Sequence, residues 1–190
     1  AEPLVPTDQR VRTELWPHVT VLSDPSHRLT WQDAMAQRAQ FVPPPANSTY
    51  ANLGPHADTL WLRIPVQMPP QGSDGRWWLV IDYPPLDVAE LHLISGKQLI
   101  QHALMGDHML VGHRPAPTLT HSAALHLEPG KSYELFLRVR SASQGALILP
   151  KLFRRQVAYK MEVLAKVFNG SYAEFLADRP DECYLTDEFL

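Results

Sequence analysis

Tyr133-Glu134-Leu135-Phe136-Leu137-Arg138-Val139-Arg140 is the stretch that decides the fold. Tyr133, Leu135, Leu137 and Val139 alternate with Glu134, Phe136, Arg138 and Arg140. A period of two sends successive side chains to opposite faces, so this is a strand with one face in a core. Just upstream, Glu128-Pro129-Gly130-Lys131 is a hairpin turn, and residues 123–127 form the strand that feeds it. The same period recurs outward along the chain. Over residues 61–67, Leu62, Ile64 and Val66 alternate with Trp61, Arg63 and Gln67. Residues 88–94 place Leu91 and Leu93 inward and Glu90 and His92 outward.

Turn signals separate these strands. Pro69 to Gly75 is a turn cluster, followed by the most apolar strand, residues 76–83, which Pro84-Pro85 breaks. Ser95-Gly96-Lys97 is a tight turn before a short edge strand at 98–102, and residues 103–117 are a long irregular stretch. Short strands at 19–22 and 146–149 bracket the series. Strands every 8–12 residues between turns predict an all-β sandwich or barrel, and about eight of them suit a jelly roll.

Composition agrees. Of 18 prolines, 17 lie in residues 1–150. Proline lacks an N–H and clashes with the preceding helical turn, so a helical bundle is excluded. A short N-terminal helix is predicted over residues 31–40, with Thr30 and Asp33 approximating a capping box. Net charge is −3, which argues against a nucleic-acid partner. The longest apolar run is Trp77 to Ile81, far short of a membrane span. The single cysteine, Cys183, excludes a disulfide scaffold and a thiolate zinc cluster. Ala1 fits the small residue that follows signal-peptide cleavage. After Pro150 the character changes, with 13 charged residues in the last 40. Val157, Met161, Leu164, Ala165 and Phe168 follow a helical pattern. The expected division is an extended arm at 1–18, a β domain at 19–150 and a charged helical tail at 151–190. The tail is either a linker or a segment of foreign origin.

Several motifs, in order, carry a family resemblance. They are Val21 to Thr30 with its Asp24-Pro25-Ser26 turn; Asn52-Leu53-Gly54 with Trp61-Leu62-Arg63-Ile64; Arg76 to Asp82 with Pro85 to Leu91; Gly106-Asp107 with Arg114-Pro115; and Leu137 to Ser141 with Gly145 and residues 147–150. Together they resemble the 7TMR-DISM extracellular type 2 domain over roughly residues 19–150. The resemblance implies a jelly-roll β-sandwich similar to carbohydrate-binding modules. It also implies a periplasmic sensor domain of an inner-membrane receptor, attached through segments outside this sequence. Such receptors are hybrid histidine kinases of the RetS and LadS kind, in two-component signal transduction, or diguanylate cyclases.

The candidate site follows from the outward residues. Trp77 and Trp78 are adjacent and point to opposite faces, and Trp77 shares the core face with Leu79 and Ile81. Trp78 then faces outward, either as a platform for a sugar ring or as a covered side chain. Arg63, Asp82, Glu90, His92, Arg138 and Arg140 fall on the same non-core side of their strands. Charge-assisted hydrogen bonds from such arginines fix sugar hydroxyls or a carboxylate; alternatively the set is a solvated face of ion pairs. The expected partner is a small carbohydrate-like ligand. The alternative is a dimerisation surface or a contact with another receptor's sensor domain, without a soluble ligand.

Metal chemistry has secondary candidates. His102, His108, His113, His121 and His126 crowd one quarter of the chain, yet none has the helical spacing of a zinc protease. Asp107, Asp82 and Asp87 are candidates for a calcium site, with an Asp107–Arg114 loop pair as the structural alternative. No nucleophile elbow, phosphate loop or dinucleotide fingerprint occurs. The expectation is therefore a domain with no enzymatic activity and no cofactor.

Overall fold

The computed structural model describes residues 1–7, 12–45, 53, 57–72, 75–81, 86–106, 121–140 and 150–154. Within these, nine strands form two antiparallel sheets. In chain order the strands are β1 (Arg12–Glu14), β2 (Thr20–Asp24), β3 (Thr59–Gln67), β4 (Arg76–Ile81), β5 (Val88–Ser95), β6 (Gln98–Met105), β7 (His121–His126), β8 (Ser132–Arg140) and β9 (Pro150–Arg154). Among the described residues, one α-helix, α1 (Trp31–Ala36), runs into a 3-10 turn at Arg38–Gln40. One sheet has the order β1-β9-β4-β7 and the other β2-β3-β8-β5-β6.

The alternation read from the sequence sets the inner faces. Leu62, Ile64 and Val66 of β3, Leu91 and Leu93 of β5, and Leu135, Leu137 and Val139 of β8 join one buried cluster. From the other sheet come Trp77, Leu79 and Ile81 of β4 with Ala123 and Leu125 of β7. Each fully buried Leu or Ile contributes about 1.5–3 kcal/mol of transfer free energy, so this shared core is what binds the two sheets.

Four expectations change. The turn expected to close a hairpin at Glu128–Lys131 instead carries the chain from one sheet to the other: β7 pairs with β4, whereas β8 pairs with β3 and β5, because each strand's inward row faces the shared core from its own sheet. The segment expected as an extended arm is part of the fold. Its β1 pairs with β9, and Leu4 exchanges backbone hydrogen bonds with β3 through Pro65 and Gln67, each 2.8 Å. Leu4, Leu15 and Trp16 are buried in the core, so this segment supplies core surface that the strands alone lack. The strand expected at 98–102 extends to Met105, because Ala103 and Met105 have an inner face to fill. The last described strand, Pro150–Arg154, crosses the boundary expected at residue 150. It does so because the edge of β4 opposite β7 is completed only by β9. The strand expected at 146–149, and the helical tail beyond residue 154, lie outside the described residues.

Candidate functional site

The outer face of the five-stranded sheet is built in registered rows. Glu90 lies opposite Arg138, and Arg138 opposite Trp61. In the next row His102 lies opposite His92, His92 opposite Phe136, and Phe136 opposite Arg63. One half of this face is covered. Trp61, Phe136 and Ile94 form a second buried cluster with Ala34 and Phe41, flanked by Leu22, Leu29, Trp31 and Met35. Phe41 meets Phe136 edge-on, with ring centroids 5.8 Å apart.

Local chemistry holds this cover in place. The capping box read from the sequence is present: the Thr30 hydroxyl accepts from the Asp33 N–H, and Asp33 accepts from the Thr30 N–H at 2.9 Å. The turn before it is organised by Asp24, whose carboxylate accepts from the Ser26 hydroxyl at 2.6 Å and the Leu29 N–H at 3.0 Å. Burial pushes the Asp24 carboxyl up, but the hydrogen bonds from Ser26, Leu29 and His27 outweigh it and hold the group below its ordinary value. At the other end of the cover, Arg38 and Arg63 converge on Glu134. Arg38 Nε donates to Oε2 at 3.1 Å and Arg63 Nε to the same oxygen at 2.6 Å. Arg63, expected as a ligand contact, is thus a strut between β3 and β8.

Beside the cover, the remaining part of the face is more open and of mixed character: its polar residues lie next to Leu104, which pairs with Glu90 and is 42 % exposed. Glu90 Oε1 accepts from His102 Nε2 at 2.7 Å and lies 3.5 Å from His92 Nε2. Glu90 Oε2 faces Arg138 Nη1 at 3.5 Å, and Arg138 Nη2 donates to the His27 carbonyl at 3.2 Å. The ring of His92 lies between those of Trp61 and His102, at centroid distances of 5.4 and 5.0 Å. Hydrogen bonding from His92, opposed by burial and reinforced by His102 and the charge of both rings, holds the Glu90 carboxyl down at about 2. His92 is only 4 % exposed, whereas the His102 side chain is 47 % exposed. The cluster is therefore anchored at one end and open to solvent at the other.

The structure brings together Glu90, His92 and Arg138 of the expected set and adds His102. The signal for His102 was its place on the strand after the Ser95-Gly96-Lys97 turn, which sets it across from His92. Arg140 is exposed at the end of β8, two residues beyond Arg138 on the same face. Trp78 does not belong to this face. It lies on β4, in the other sheet, and is 4 % exposed, so its ring is no open stacking surface. Asp82 and Asp107 lie outside the described residues, as do His108 and His113. Asp87 sits at the start of β5, where its carbonyl closely approaches Gly106.

A sequence model described as 7TMR-DISM extracellular 2 matches residues 16–152. The chain belongs to the 7TMR-DISM extracellular 2 family. It is accordingly an extracellular sensor domain of a membrane receptor, with periplasmic or extracellular placement. The 7TMR-DISM extracellular 2 match includes every residue of the cluster and starts at Trp16, inside the segment expected as an arm. No curated protein matches the chain. Among the described residues, no helix is long and apolar enough to cross a membrane.

Proposed function

We propose that this domain binds a small carbohydrate-like ligand on the open part of its five-stranded sheet and thereby regulates a cytoplasmic histidine kinase or diguanylate cyclase. In this reading the two sheets form a jelly roll related to carbohydrate-binding modules, anchored to the inner membrane by segments that follow it, and the domain performs no chemistry of its own. The observation that carries the reading is the convergence of Arg138, Glu90, His92 and His102 beside an apolar cover.

The chemistry suits a hydroxyl-rich ligand. A sugar presents donors and acceptors on neighbouring carbons. Arg138 supplies donors, Glu90 supplies acceptors, and each imidazole supplies one of either kind. The bonds of His102 and Arg138 to Glu90 are partly open to water, so a ligand hydroxyl can exchange with these two. Arg140 adds a second guanidinium for an acidic sugar. Signalling requires the ligand to favour one receptor state over another. The covered half of the face offers a route: Arg138 also holds the His27 carbonyl, so a ligand that reorients Arg138 pulls on the turn leading into α1.

Calorimetric titration with a panel of neutral and acidic saccharides tests the reading. A charge-assisted hydrogen bond is worth about 1.5–3 kcal/mol, so Arg138→Ala should weaken binding by about 10- to 100-fold. Absence of binding across the panel, or full affinity in Arg138→Ala, would rule out this site.

A further inference from the structure

We propose that Glu90, His92 and His102 form a binding site for a first-row transition-metal dication, with Zn2+ the best fit. One ligand atom from each residue lies within 4.8 Å of the other two. Glu90 Oε1 lies 2.7 Å from His102 Nε2 and 3.5 Å from His92 Nε2. Zinc bonds of about 2.0–2.2 Å to nitrogen and oxygen set tetrahedral ligand atoms roughly 3.3 Å apart. The two distances to Glu90 Oε1 bracket that spacing.

The strand geometry supplies the constellation. His92 and His102 are directly opposed on antiparallel strands, and Glu90 is two residues from His92 on the same face. Antiparallel pairing brings opposed side chains close, and the period of two returns Glu90 to their side. The three ligands therefore come from paired β-strands rather than loops, which holds their directions. His92 is buried, and its Nδ1 makes no hydrogen bond among the described residues. Its polar contact is thus through Nε2, aimed at Glu90. Stacking between Trp61 and His102 further limits rotation of the ring. The exposed side of His102 leaves a coordination position facing solvent, which water can fill.

The donor set also selects the ion. Two imidazole nitrogens and one carboxylate oxygen suit zinc, copper, nickel or cobalt, whereas calcium and magnesium call for several oxygen ligands. Arg138 lies on the far oxygen of Glu90, Oε2, and so leaves Oε1 available. Its positive charge moderates affinity, which fits a site that loads and unloads rather than a permanent structural zinc. Occupancy would tie the edge strand β6 to β5 through side chains. This goes beyond the saccharide reading and does not require it.

The test is a zinc titration of the chelator-treated domain with no saccharide present, so a null result leaves saccharide binding untouched. Calorimetry should give a stoichiometry of one, and at a zinc concentration about a hundredfold above Kd the melting temperature should rise by several degrees. Calcium and magnesium should give no rise. Loss of even an outer-sphere partner commonly costs 10- to 100-fold in metal affinity, so His102→Ala should lose at least about 100-fold. His102 is the residue to change because its exposure leaves the core intact; Glu90→Gln provides a second variant. Bound Co2+ should show the intense visible bands of a four-coordinate site, absent in His102→Ala. Failure of zinc to bind, or zinc and cobalt binding unchanged in both variants, overturns the proposal.

Discussion

The hairpin that carries the cluster is closed at its far end by an unusually close backbone approach, and a matched pair of glycine substitutions measures its worth. Gly106 follows β6 with φ +133°. A Cβ built there would lie 2.2 Å from the Asp87 carbonyl oxygen, 2.9 Å from its carbonyl carbon and 3.0 Å from the Val88 Cα. All three are backbone atoms at the start of β5, so no side chain can swing aside. Gly96, in the turn at the near end of the same hairpin, has φ +62° and nothing within 4 Å of its would-be Cβ. Gly96→Ala should therefore cost only the left-handed conformation, about 1–2 kcal/mol. Gly106→Ala bears a sparsely populated backbone conformation, about 1–3 kcal/mol, and overpacking worth a further 1–3 kcal/mol or so. The expected total is roughly 2–6 kcal/mol, centred near 4, leaving a central gap of about 2–3 kcal/mol between the variants. Urea unfolding of both variants, followed by tryptophan fluorescence and with m values compared, reads the gap directly. Equal destabilisation of the two would refute the argument that backbone crowding requires glycine at position 106.

Two further outcomes are expected. Glu90 has its carboxyl lowered from 4.5 to about 2, so its interactions stabilise the fold above pH 4.5 and are lost as pH falls towards 2. A shift of that size is worth about 3 kcal/mol in a dry site; with the side chain partly open to water, screening leaves about 1–2 kcal/mol. In chelator, Glu90→Gln should be less stable than the parent by that amount at pH 7, and the difference should shrink by pH 3; a difference that stays constant with pH refutes the assignment. Phe136→Ala, beneath the helical cover, should cost about 3–5 kcal/mol by calorimetry, and a loss under 1 kcal/mol would show that the cover is not packed on it.

Much of the fold was legible because a period of two is a local signal. The inward rows of β3, β5 and β8 could be read residue by residue, and the Thr30–Asp33 box marked the start of α1. The same signal misled where burial comes from a third layer. Trp61 and Phe136 alternate onto the outer face as expected, yet α1 and Phe41 cover them. The face of Arg63 is legible from the alternation, but its partners are not. Glu134 lies 71 residues away in sequence and Arg38 is on another element.

By itself, the sequence determined the alternating strands, the inner and outer faces, the helix cap and the family. Only the tertiary structure decided which strands are neighbours. It put β4 in the other sheet, which removed Trp78 from the site, and it set β8 beside β5, which brought Arg138 against Glu90. The physical reason is that alternation assigns a side chain to a face of its own strand but carries no information about the next one. In the five-stranded sheet, β8 lies between β3 and β5, and the side-chain contacts Arg63–Glu134 and Glu90–Arg138 across these pairings span 71 and 48 residues of sequence. Such non-local pairings are chosen by the shared core that closing those loops creates.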